Sequence, residues 1–187
     1  MESKSTLRQL MRARKNALTK QEREQQSQEI RRLLEDHPVF QKAHVILLYA
    51  SLPDEVQTME FIAKWQGRKQ ILLPVVVGDA LEVREYAVGA SLEQGSFGIP
   101  EPRLGRIVTD YSVIDLAIIP GVAFTMDGKR LGRGKGYYDR LLSHPSFGDI
   151  YKLGICYSFQ LLPELPTSSH DVSLDEILTL HSAIPTW

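Results

Sequence analysis

The chain has 187 residues, of which 43% are apolar and 24% charged, and its formal net charge is −1. That balance fits one folded domain spanning residues 1–187 and argues against a disordered chain. No apolar run approaches the ~18 residues that a membrane span needs, and a near-neutral chain is poorly suited to a long polyanion such as nucleic acid.

The charge is unevenly spread. Residues 1–35 carry nine Lys/Arg against five Asp/Glu, and residues 127–140 carry five against two. Two local basic segments in a neutral protein point to a small anionic ligand. The N-terminal MESKSTLRQLMRARK has charge but no apolar core, unlike a secretory signal. Cys156 is the single cysteine and sits in the apolar run LGICYSF, which predicts a buried thiol in a reduced, cytoplasmic protein.

In chain order, residues 5–35 read as helix, broken near Leu18-Thr19-Lys20, with Thr19 and Glu22 spaced as a capping box that restarts it. Leu7, Leu10, Met11 and Leu18 form the apolar side. Lys4, Arg8, Arg12 and Lys15 recur on a flanking face, which for a helix taken alone is a solvated stripe. HVILLYAS (44–51) and KQILLPVVV (69–77) are short apolar runs and predict buried strands, with a helix over 56–66 between them. ALEVREYA (80–87) alternates, as a more exposed strand does, and Gly78-Asp79 joins it to its neighbour. Residues 88–106 are rich in loop-forming residues. LAIIPGVAFT (116–125) predicts another buried strand, residues 136–144 a helix with Leu141 and Leu142 inward, and YKLGICYSF (151–159) a strand. LDEILTL (174–180) reads as a strand or a helix start. Apolar strands alternating with helices imply a three-layer α/β/α domain with a mostly parallel central sheet. Ligands of such sheets bind at the loops beyond the strands' carboxyl ends.

The segment RLGRGKGYYDR (130–140) is one such loop. Gly132, Gly134 and Gly136 allow close approach of backbone N–H groups to an anion, and Arg130, Arg133 and Lys135 add full charges. A helix starting near Gly136 would add its dipole. The loop matches neither G-x-x-x-x-G-K-[ST] nor G-x-G-x-x-G. A phosphate cradle and a basic surface turn both remain open on composition. Asp139 is placed either to favour the helix dipole or to hold Mg2+ beside a polyphosphate. Tyr137 and Tyr138 read as one packed inward and one free to stack on a ring.

PGVAFTMDGKRLGRGKGYYDRLL resembles the signature segment of the 5-formyltetrahydrofolate cyclo-ligase family. KSTLR at the first helix, LLYASLPDEVQT after the first strand and GSFGIPEP agree with it in order, so the resemblance runs from about Lys4 to DEILTL. It implies an enzyme that uses ATP and Mg2+ to convert 5-formyltetrahydrofolate to 5,10-methenyltetrahydrofolate, releasing ADP and phosphate. It implies that Lys4, Arg8 and residues 130–138 (Arg130, Leu131, Gly132, Arg133, Gly134, Lys135, Gly136, Tyr137, Tyr138) contact ATP, with Arg133 and Lys135 catalytic. Ala50, Glu55 and Arg133 to Tyr137 would contact the reduced folate, and Phe97 and Pro100 would wall its pocket. Asp139 and Asp175 would hold Mg2+, with Glu176 as the alternative to Asp175. Arg12 and Lys15 stay with the solvated face. The implied partners are small molecules only, with no nucleic acid and no membrane, and the implied state is a monomer, a weak dimer being the alternative. A nucleic-acid-binding module and a sugar-phosphate enzyme without ATP are the competing readings of the basic loop.

Overall fold

The structure is a computed structural model that describes residues 2–102 and 104–180. The first two helices follow from their caps. The Ser3 hydroxyl accepts from the Thr6 amide at 3.1 Å and starts α1 (Lys4–Ala17). At Thr19 the hydroxyl accepts from the Glu22 amide at 3.2 Å, and the Glu22 carboxylate accepts from the Thr19 amide at 2.8 Å. This reciprocal cap restarts the chain as α2 (Lys20–Asp36) at the expected place. A short α3 (Pro38–Lys42) follows, with Pro38 in its first turn and the His37 ring accepting from the Val39 amide.

Strand β1 (Val45–Leu47) is followed by α4 (Met59–Trp65), β2 (Gln70–Val77) and β3 (Ala80–Tyr86). The predicted helix over 56–66 begins only at Met59. Thr58 does not cap it; its hydroxyl donates to the Tyr49 carbonyl and accepts from the Ser51 amide, bracing the loop after β1. The loop-rich stretch 88–106 contains an antiparallel ribbon, β4 (Leu92–Gln94) with β5 (Pro100–Pro102). Next come β6 (Ile107–Val108) and β7 (Leu116–Ile119). The single strand expected over 116–125 is interrupted at Pro120-Gly121, because proline offers no amide to continue the ladder. The remainder forms a separate hairpin, β8 (Ala123–Phe124) with β9 (Arg130–Leu131). Helix α5 (Tyr137–Leu142), β10 (Tyr151–Ile155) and β11 (Glu176–Leu178) complete the order.

The central sheet runs β11-β10-β7-β1-β2-β3-β6. Its pairings are parallel from β11 to β2 and antiparallel at β2–β3 and β3–β6. Period-2 alternation sends Ile46, Leu48, Ile71, Leu73, Leu116 and Ile118 to one face, under α2, α3 and α4. Leu47, Leu72, Ala117 and Ile119 go to the other, under Leu141 and Leu142 of α5 and under Phe147 and Ile150. The expected α/β/α layering is present. Cys156 is fully buried there, and burial pushes its thiol up to about 12, which leaves it an inert packing residue. Among the described residues, no helix is long and apolar enough to cross a membrane.

From β1 the chain moves to β2 on one side, and later from β7 to β10 and β11 on the other. The crevice beyond the carboxyl ends of β1 and β7 is therefore the topological switch point. Helix α1 lies outside the layers. Its Leu7 and Met11 pack on Val122, Ala123 and Leu131 of the hairpin, so it is anchored to the segment that leads into the basic loop.

Two expectations for α1 are corrected by this placement. Leu10 is 36% exposed, whereas Lys15 is 2% exposed. Lys15 is not on a solvated face; it pairs with Asp54 of the loop after β1 at 3.2 Å. Burial lowers the Lys15 ammonium's pKa, against the pull of Asp54 and Glu55. Burial also opposes ionisation of Asp54, but Lys15 and Arg133 outweigh it and hold its carboxyl below the ordinary value.

That sign gives a pH dependence. The stability supplied by ionised Asp54 is fully present above its unfolded value of 3.8 and is lost as pH falls through the lower folded value. Asp54→Asn is expected to flatten the acid limb of urea midpoints measured from about pH 5 to pH 2. An unchanged limb would show that the pair does not stabilise the fold. Lys15→Met is expected to change stability by no more than ~1 kcal/mol at neutral pH, because Asp54 keeps Arg133 and a buried ammonium is removed.

Candidate functional site

The β8–β9 hairpin delivers Arg130 into the crevice, and the glycine loop 132–136 turns there. Gly134 and Gly136 take φ of +103° and +68°, which side chains rarely adopt, and Gly136 leads directly into α5. Since α5 has only six residues, its dipole contributes little, and the positive field comes from side chains and loop amides.

Each cation at this loop has an identified neutralising contact or a defined position. Arg8 of α1 lies against Gly134 and donates from Nε to the Gly132 carbonyl at 2.8 Å. Lys4, one turn earlier, pairs with Asp171 at 2.6 Å. The nearly buried Arg130 pairs with Asp139 at 2.6 Å, donates to the Pro120 carbonyl, and sits 5.7 Å from the centre of the Tyr138 ring. Its Nε is buried without a hydrogen-bond partner among the described residues. Arg133 reaches back to the loop after β1, pairing with Asp54 at 2.7 Å and Glu55 at 3.0 Å. Arg140 donates to the Lys135 carbonyl and to the Asp79 carbonyl, and the Tyr137 hydroxyl donates to the Gly78 carbonyl. The β2–β3 turn thereby borders the loop.

Two cavities flank these residues. The first, about 360 Å³, has apolar walls from Ala50, Pro74, Val76, Leu81, Ile99, Pro120 and Tyr138. Glu55, Glu101, Arg133, Lys135 and Tyr137 supply its polar groups. The second, about 570 Å³, is basic: Lys4, Arg8, Arg130, Arg140 and His170 line it, with Asp139, Asp171, Leu131, Gly132, Gly134 and Gly136. Arg130, Gly132, Gly136 and Asp139 belong to both and form the wall between them.

The expected site residues are therefore brought together with a few exceptions. Ala50, Glu55 and residues 130–138 converge, and Lys4 and Arg8 join them from α1. Leu131 turns its side chain to the α1 core. Tyr137 and Tyr138 divide as expected while both lining the apolar cavity: Tyr138 packs inward on the core, where burial raises its phenol well above the ordinary range, and the Tyr137 hydroxyl reaches the exposed Gly78 carbonyl. Pro100 lines neither cavity and Ile99 does instead; the Phe97 side chain lies outside the described part of the chain.

Asp175 is corrected as well. It lines neither cavity: its carboxylate accepts from the Lys152 amide at 2.7 Å and pairs with the Lys152 ammonium, at the start of β10 and β11. Glu176 accepts from the Tyr151 hydroxyl and pairs with His37. The acidic residue that shares the basic cavity with Asp139 is Asp171, four residues before Asp175. Among the described residues, no three His, Cys, Asp or Glu side chains are grouped to hold a metal. Asp139 and Asp171 each offer hard carboxylate oxygens of the kind that suits Mg2+ beside phosphate and water, and each is paired with a cation, Asp139 with Arg130 and Asp171 with Lys4. Sequence reasoning missed Asp171, Glu101, His170 and Arg140, none of which has a local spacing signal; Glu101 was visible only inside GSFGIPEP.

Comparison with known proteins identifies the family. The model of the 5-formyltetrahydrofolate cyclo-ligase family matches residues 1–180. The chain is 30% identical over 176 residues to the 5-formyltetrahydrofolate cyclo-ligase of Escherichia coli K12, covering 91% of this chain and 96% of that one. It is 29% identical over 195 residues to the Mus musculus enzyme of that name, covering 94% and 93%. Among solved structures, the 5,10-methenyltetrahydrofolate synthetase of Aquifex aeolicus superposes with a TM-score of 0.84 at 35% identity, covering 94% of this chain and 89% of that one. The Mycoplasma pneumoniae synthetase superposes with a TM-score of 0.75 at 26% identity, covering 95% and 98%. With the family model and these relatives matching over nearly the whole length, this chain is an enzyme of the 5-formyltetrahydrofolate cyclo-ligase family.

Proposed function

We propose that the protein uses ATP and Mg2+ to close 5-formyltetrahydrofolate to 5,10-methenyltetrahydrofolate, releasing ADP and phosphate. The observation that carries this reading is the shared wall. An apolar cavity sized for a fused ring and a basic cavity suited to a polyphosphate meet at Arg130, Gly132, Gly136 and Asp139. A phosphoryl group held at that wall can be reached from both sides.

In this reading ATP lies in the basic cavity, with Lys4, Arg8, Arg130 and the loop amides up to Tyr138 on its phosphates. Arg130 lines both cavities, and its guanidinium supports an anion at their common wall. The reduced folate lies against Ala50, Tyr137 and Tyr138, near Glu55. Its formamide carbon is a poor electrophile. The formyl oxygen attacks the γ-phosphorus and ADP leaves, producing an imidate-type phosphate. The N10 lone pair then attacks the activated carbon, N10 loses its proton, and the C–O bond breaks. Phosphate departs with the former formyl oxygen, leaving the amidinium ring. Arg133 and Lys135 line the cavity where negative charge moves between leaving groups, and their work is positioning and charge neutralisation. Asp139 and Asp171 would hold Mg2+ with the nucleotide, in place of the Asp139–Asp175 pair expected from the resemblance. Bound there, the ion would neutralise phosphate charge. A monomer as the working unit and a cytoplasmic setting belong to the same proposal.

The test is direct. Purified protein mixed with 5-formyltetrahydrofolate and Mg-ATP is expected to produce the near-ultraviolet absorbance of the amidinium product, with no rise when ATP is omitted. A rise without ATP, or none from folded protein that binds ATP, would overturn the reading. Lys135→Met is expected to lower kcat by about 10²- to 10³-fold while leaving the urea midpoint unchanged. Near-normal turnover in that variant would remove Lys135 from the chemistry.

A further inference from the structure

Glu101 is a carboxylate with a large acceptor surplus in an apolar wall. It sits in the middle of β5, is 8% exposed, and lines the apolar cavity beside Val76, Leu81 and Ile99. Its Oε1 accepts from the Val76 amide at 3.1 Å, and this is its one hydrogen bond among the described residues. No described cation pairs with it, in contrast to Glu55, whose Oε1 takes Arg133 and whose Oε2 takes the Leu52 amide. A carboxylate offers about four lone-pair sites. Burial of an ionised one is costly unless donors satisfy it.

The carboxylate also packs directly on Gly95. A Cβ built on Gly95, in the turn between β4 and β5, would lie 2.0 Å from Oε2 and 2.3 Å from Cδ of Glu101. The Gly95 amide donates to the Ile99 carbonyl at 2.8 Å, which closes the turn directly beneath the carboxylate. A side chain at position 95 would displace the acid group from this place.

We propose that Glu101 is the specificity-determining residue for the pterin, accepting from the adjacent N3–H and 2-amino N–H of its pyrimidine ring. Those two donors are parallel and coplanar, the same fork that guanidinium offers a carboxylate. The flat ring suits the walls formed by Val76, Leu81 and Ile99. Glu55, already engaged by the phosphate-handling Arg133, is then left for the reacting side of the ligand rather than for its recognition edge. This assignment rests on the folate reading given above.

The experiment is equilibrium binding of 5-formyltetrahydrofolate, without nucleotide, to the wild-type protein and to Glu101→Gln, Glu101→Ala and Gly95→Ala. A second probe is the analogue in which methyl replaces the 2-amino group, and Mg-ATP binding serves as the control for an intact fold. All three substitutions are expected to weaken 5-formyltetrahydrofolate by about 10- to 10²-fold, the loss of hydrogen bonds to a charged group, with Mg-ATP affinity unchanged. The wild-type protein is expected to bind the analogue poorly, and Glu101→Ala to lose little further affinity for it. Parent affinity within twofold of wild type in both Glu101 variants would overturn the assignment, as would equal losses for parent and analogue, the mark of a structural role. Wild-type protein that binds no reduced folate would overturn the folate reading and this assignment together. Wild-type binding and turnover with indifferent Glu101 variants would overturn this assignment alone.

Discussion

Five cations, Arg8, Arg130, Arg133, Lys135 and Arg140, are gathered on or against the glycine loop 132–136. Left together they would repel one another, and the surrounding architecture can be understood as the means of holding them there. Arg8 is drawn onto a loop carbonyl, Arg130 onto Asp139, Arg133 onto Asp54 and Glu55, and Arg140 onto the carbonyls of Asp79 and Lys135. These contacts tie α1, the loop after β1, the β2–β3 turn and α5 together at the loop. The half-exposed Arg133–Asp54 pair is of a kind that a polyanion can replace, because such pairs cost little to exchange for phosphate oxygens.

The parallel sheet makes this convergence possible. Reversal of strand order between β1 and β7 opens a crevice at their carboxyl ends, and the break at Pro120-Gly121 lets the chain leave the sheet there as a hairpin. Helix α1 packs on that hairpin instead of on the sheet, which carries Lys4 and Arg8 to the loop from the far end of the sequence. The buried Lys15 fastens the same helix to Asp54, and Asp54 in turn holds Arg133. The first helix and the loop after β1 are therefore coupled through charge as well as through packing.

What could be read in the sequence was mostly local. The Thr19–Glu22 capping box lies within four residues, and the buried strands announce themselves as apolar runs. The glycine loop declared its chemistry because its glycines and cations are adjacent. Tertiary placement was less legible. Helical spacing put Leu10 inside and Lys15 outside, whereas Lys15 is buried by a partner 39 residues away. Asp171 and Asp175 have the same chemistry four residues apart, and only the path of the chain sends the first to Lys4 and the second to Lys152. Glu101 could be seen as part of a resembling segment, but its isolation from any described cation is a property of the folded cavity.

The central claim is that the shared wall lets a phosphoryl group pass from the basic cavity to an oxygen in the apolar one. The measurement that tests it most directly is a single turnover with substrate carrying ¹⁸O in the formyl group, followed by the mass of the released phosphate. Transfer to the formyl oxygen predicts one ¹⁸O atom in every phosphate formed. Unlabelled phosphate, with the label recovered in water, would mean that the ring closes by another route and that the wall does not direct the transfer.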